Sequence, residues 1–155
     1  RFFEFPILVY MPETHAAWSL ALDEALLQLS EVVDIQRTDD PAEADITVTV
    51  AWGDAYLAQC PRNTLGCSSI KPTRLSDRTV AVVGTVTVLF SNAQKSYAIM
   101  HELIHALGIA GHSPHPEDVM YHNNQYAPAM LSERDRNTLL MLYQSPGLQE
   151  DRLRG

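Results

Sequence analysis

The stretch Ser91-Asn92-Ala93-Gln94-Lys95-Ser96-Tyr97-Ala98-Ile99-Met100-His101-Glu102-Leu103-Ile104-His105-Ala106-Leu107-Gly108 decides how the rest of the chain is read. Tyr97, Met100, Leu103, Ile104 and Leu107 recur at the three- and four-residue steps of an α-helix with one buried side. Ser91 followed three residues later by Gln94 has the form of a capping box, and Gly108 is placed to end the helix. His101 and His105 then stand one turn apart on a single face, close enough to bind one metal ion. Zinc in a catalytic role needs a third protein ligand and an open position for water. Glu102 lies about 100° round the helix from His101, where its carboxylate can reach such a water without ligating the metal. Because zinc lowers the pKa of a water it holds to about 7, Glu102 is read as the general base, returning the proton to the leaving amine. The plain alternative is two His and a Glu on the polar face of an ordinary helix.

Beyond Gly108 the chain runs Ile109-Ala110-Gly111-His112-Ser113, with a second glycine where the backbone must turn back to present a third ligand. His112 is that candidate, and His115 is the next. The pattern His101-Glu102-x-x-His105-x-x-Gly108 followed by His112-Ser113 resembles the zinc-binding segment of the metzincin metallopeptidases, and within them the matrixins. The family places its third His three residues after the glycine; that position here is Gly111, and His112 comes one residue late. Asp118-Val119-Met120-Tyr121 resembles the Met-turn, which implies that Met120 forms an apolar floor beneath the metal. Ordinary core packing would bury Met120 equally. Leu131-Ser132-x-x-Asp135, continuing to Leu142-Tyr143, is similar to the matrixin C-terminal helix.

The resemblance implies a zinc-dependent endopeptidase with one catalytic zinc on His101, His105 and His112. It further implies an edge strand near 65–85 that holds the substrate extended, and a pocket wall around His122–Met130. Where matrixins commonly have Pro after the Met-Tyr pair this chain has His122, so pocket preference stays open; Tyr121, His122 and Tyr126 are candidates for substrate contact. Many matrixins carry a second, structural zinc bound largely by His, but residues 52–90 contain no His and that zinc is expected to be absent. Asp54 and Asp77 are isolated carboxylates that leave calcium open. Glu117 and Asp118 are candidates to orient a ligand imidazole. Two rivals remain: a gluzincin-like peptidase using Glu133 as third ligand, and a catalytically inactive zinc domain that binds peptides or a partner protein. His15 is expected to be an exposed residue outside the site.

Upstream, 5–10 and 46–50 read as strands, the second because Ile46, Val48 and Val50 alternate with Thr47 and Thr49. Trp18, Leu22, Ala25, Leu26, Leu29, Val32 and Val33 recur at helical spacing, so 14–31 is expected to be a helix laid on that sheet. Strand, helix, strand implies a crossover and parallel pairing. Residues 52–78 read as loop with a short edge strand around 65–70, and 79–90 as one kinked strand or a hairpin at Gly84. Downstream, Ser132 as N-cap, Asp135 at the third helical position and Leu139, Leu142 and Tyr143 as the apolar stripe signal a last helix stopped by Pro146-Gly147, with a charged tail over 148–155. The fold class expected is α/β, an α+β zincin. It would have a twisted, mostly parallel sheet with one antiparallel edge strand, a backing helix, the active-site helix, and a small subdomain with one helix (109–155) after an N-terminal subdomain (1–108).

The chain has 155 residues, which suits a single domain and a monomer. Its formal net charge of −8 and lack of any basic run argue against nucleic acid and anionic membrane as partners. No apolar stretch is long enough to span a bilayer and no leader pattern is seen, so a soluble, mature chain is expected. Cys60 and Cys67 bracket a turn-rich stretch that a disulfide would close, contributing about 2.5 kcal/mol by loop entropy. Such a bond fits a secreted or extracytoplasmic location.

Overall fold

β-Branched residues dominate 46–51 and 80–89, the stretches that become the centre of the sheet, and in 46–51 Ile46 and Val48 point inward while Thr47 and Thr49 are less buried. A computed structural model describes residues 2, 5–12, 16–74, 80–92, 95–123 and 127–144. The strands are β1 (Ile7–Tyr10), β2 (Ile35–Arg37), β3 (Ile46–Ala51), β4 (Gly66–Arg74) and β5 (Val80–Leu89). The helices are α1 (Ala16–Leu29), α2 (Gly53–Leu57), α3 (Lys95–Ala106) and α4 (Glu133–Gln144). The sheet order is β2-β1-β3-β5-β4, parallel throughout except that β4 runs antiparallel to β5. This is the expected α/β class with its single antiparallel edge.

Ile7, Val9, Ile46, Val48, Val86 and Val88 are fully buried. They share one core with Trp18, Leu22 and Leu29 of α1 and with Ile99, Met100, Leu103 and Ile104 of α3. Thr47, Thr49 and Thr85, at the alternate positions, are half-buried or exposed. α3 approaches the sheet closely at Gly84, where an added Cβ would meet Ile46 at 2.9 Å and Ala106 at 3.6 Å. Gly84 therefore opens no hairpin, since β5 pairs continuously through it; it leaves room for its neighbours. Val119, Met120, Leu131 and Leu139 complete the same core, so the chain beyond Gly108 folds against α3 rather than apart from it.

Several expectations are corrected. β2 lies in the stretch between the expected helix 14–31 and the expected strand 46–50, where no element was read, because three residues are too short to show alternation. Residues 52–57 include a short helix, and the edge strand runs through Arg74 rather than stopping near residue 70. β4 tolerates Pro72 because it lies at the sheet edge. α3 starts at Lys95, so Ser91, four residues earlier in a turn, is not its N-cap. His15, Asp77, Gln94, Tyr126, Pro146-Gly147 and the tail at 148–155 lie outside the described residues. No helix among the described residues is long and apolar enough to cross a membrane. Cys60 and Cys67 form a disulfide beside a second small core of Ala51, Tyr56 and Cys60.

Candidate metal centre

α3 buries Ile99, Met100, Leu103, Ile104 and Ala106, and this fixes the rotation of the helix and leaves His101 and His105 half-buried on its opposite side. Their rings are 4.8 Å apart between centroids. The helix ends in a Schellman turn: Ile109 N–H donates to the Ile104 carbonyl (3.3 Å) and Gly108 N–H to the His105 carbonyl (2.9 Å). Gly108 takes φ +115°, which explains a glycine there. Gly111 stays outside the left-handed region and meets nothing within 4 Å, so the extra residue before His112 is absorbed in open space without glycine geometry.

The loop brings His112 back over the helix. Its Nε2 lies 3.3 Å from Nε2 of His101 and 3.2 Å from Nε2 of His105. Hydrogen bonding among the three does not account for this. His101 Nδ1–H donates to the Val119 carbonyl (2.7 Å) and His105 Nδ1–H to the Ile109 carbonyl (2.6 Å), so both Nε2 atoms present lone pairs. A single N–H on His112 can satisfy only one of them. A cation at the centre satisfies all three, and tetrahedral bonding at about 2.0–2.1 Å would set nitrogens about 3.3 Å apart, the separation seen here. The three residues can hold a metal ion. Burial first, and the neighbouring His105 and His112 after it, push His101 down to about 4, against the Val119 carbonyl that raises it. Burial, His105 and His122 likewise lower His112. Neutral imidazole is the ligand form.

Glu102 lines the same cleft, about 690 Å³, together with the three His, Tyr97, His122 and the 61–70 segment. It is buried, and burial pushes its carboxyl up to about 7 against a hydrogen bond from Ser68 that lowers it. Tyr97 packs its ring 5.7 Å from His101 and donates its hydroxyl to the Tyr121 carbonyl (3.3 Å). Burial, with Glu102 next, pushes Tyr97 up to about 12, so it stays a hydrogen-bond donor. His115 and Glu133 are exposed and, among the described residues, are not part of the converging group.

Met120 is buried, as both readings of it required. Asp135, read from the sequence only as a capping residue, does more. Its carboxylate accepts N–H bonds from Val119 (2.8 Å), Met120 (3.4 Å) and Ser132 (3.1 Å), while its own N–H donates to Ser132 Oγ (3.1 Å). One side chain thus caps α4 and holds the peptide whose carbonyl orients His101. Among the described residues Glu117 and Asp118 are not seen to hold an imidazole; backbone carbonyls orient those of His101 and His105. Asp118 instead accepts Ser113 Oγ–H (2.5 Å) and a two-point bond from Arg134 (2.9 and 3.0 Å), and Glu117 pairs with Arg134 at 2.5 Å. Ser113 N–H also donates to the Met120 carbonyl (2.7 Å), so the residue after His112 is held at two points. No protein-family model matches this chain, and no curated protein matches it.

Proposed function

We propose that the chain is a zinc-dependent endopeptidase of the matrixin-like metzincin type. The observation that carries this reading is the convergence of three imidazole Nε2 atoms beside a buried glutamate in an open cleft. When bound, zinc supplies a Lewis acid that polarises a peptide carbonyl and acidifies water. The chain's own residues do the rest. Glu102, buried and so a better base than a solvated carboxylate, takes a proton from the attacking water and passes it to the leaving nitrogen. β4, last in the sheet order, has no strand on its outer edge among the described residues, and an extended peptide can add there as a strand, independent of most side-chain identities. His122 and Tyr97 face the cleft and would touch residues near the scissile bond. The Cys60–Cys67 disulfide supports a secreted or extracytoplasmic setting for a monomer acting on peptide or protein substrates.

Zinc content and hydrolysis of a denatured protein, compared between the native chain and Glu102→Ala, test this. The native chain should hold one zinc and cleave. The variant should keep the metal and lose at least about 10²–10⁴-fold in kcat, the range for a positioned general base. Zinc in both with cleavage by neither would bring forward a zinc domain that binds peptides without cutting them.

A further inference from the structure

Gly66 and Ser68 are two residues apart on β4, and strand alternation gives them the same face. Gly66 is buried with no left-handed φ, so the freedom of its backbone is not what the position uses. What it uses is the missing side chain. A Cβ at Gly66 would stand 2.6 Å from Cγ of Glu102, 2.9 Å from Oε1 and 3.0 Å from Cδ. All three atoms belong to one flexible side chain, so an added methyl would be relieved by moving the Glu102 carboxyl, not the strand. Ser68, on the same face of β4 and lining the same cleft as Glu102, stands where its hydroxyl can donate to that carboxylate. The strand cannot easily give way: Gly66 and Ser68 are paired with Val88 and Val86 of β5, and Cys67 between them is tied to Cys60.

We infer that Gly66 and Ser68 are positioning residues for Glu102, the first leaving the volume its carboxyl occupies and the second fixing how that carboxylate is turned. The inference rests on Glu102 acting as general base, but the placement itself is measurable without turnover. In the zinc-loaded full chain carrying ¹³C-carboxyl glutamate, the Glu102 resonance is the one lost in Glu102→Gln. Ser68→Ala should move that resonance and lower kcat about tenfold with KM and zinc content unchanged, the size of one hydrogen bond. Ser68→Thr keeps the hydroxyl and should bring both readouts back toward native. Gly66→Ala should move the resonance further and lower kcat about 100-fold, as an ångström-scale misplacement does, with one zinc retained.

If the resonance stays put in Ser68→Ala and in every folded Gly66 variant, the inference is overturned whether or not the chain cleaves peptides. A moved resonance with native kcat overturns the positioning role. A moved resonance in a chain that cleaves nothing upholds the placement and removes instead the reading of Glu102 as a base. Should Gly66→Ala not fold, the Ser68 pair decides.

Discussion

His101 and His105 reach the metal site from a helix, whereas His112 reaches it from a loop, and different forces hold the two. The helical pair is fixed by burial: Leu103, Ile104 and Leu107 are fully enclosed and set the rotation of α3. Each such side chain contributes about 1.5–3 kcal/mol when removed from water. The loop is less enclosed near His112: Ile109 packs against the core only partly buried, and Ala110 and Gly111 are exposed. It is fixed by polar bonds from Ser113 to Asp118 and the Met120 carbonyl, and by the clamp of Arg134 on Asp118. A helix-borne ligand is therefore held by many apolar contacts at once, while the loop-borne ligand depends on a few polar groups whose loss leaves buried partners unsatisfied.

The sharpest way to break this contrast is to delete ligands. His101→Ala, His105→Ala and His112→Ala should each weaken zinc binding by more than the roughly 10–100-fold that losing an outer partner costs, measured by competition with a chelator. Unchanged affinity in His112→Ala would leave the helical pair as the whole site. Next in size are the carboxylates. Asp135→Ala orphans the N–H groups of Val119, Met120 and Ser132 and should cost about 3 kcal/mol in urea unfolding, with zinc affinity falling because the Val119 carbonyl supports His101.

Asp118 gives a pH signature. Burial raises its carboxyl, but hydrogen bonds from Arg134, Ser113 and Ser132 outweigh that and hold it at about 2, against an ordinary 3.8. A depressed folded pKa contributes stability that is fully present above about 4 and is lost as pH falls through 2. The metal-free native chain should therefore lose stability over that window, and Asp118→Asn should flatten the loss while lowering stability at neutral pH. An acid limb identical in the two proteins would assign the loss to other carboxylates. The smallest effects belong to the glycines. Gly108→Ala, at φ +115°, should cost about 1 kcal/mol or somewhat more, whereas Gly111→Ala should stay within about 0.5 kcal/mol. A large cost at Gly111 would mean that the loop is tighter than its open surroundings indicate.

The same contrast explains what was legible in the sequence. Helical spacing is local, so α1, α3, α4, the two helical His and the stop at Gly108 could be read from neighbouring letters. His112 was legible because few residues separate it from the helix. The groups that orient His101 and His105 are backbone carbonyls, which every residue carries and no letter marks. Gly66 against Glu102, Asp135 against Val119 and the extension of β4 to Arg74 are contacts between distant parts of the chain, invisible to any window on the sequence. β2 and α2 are simply too short to establish a period.

The turn at Gly108 ties two events together. The carbonyl that orients His105 belongs to Ile109, whose N–H closes the end of α3. Fraying of that helix end and loosening of the ligand are thus a single opening, and amide hydrogen exchange at Gly108 and Ile109 becomes a spectator-free gauge of how firmly the centre is held.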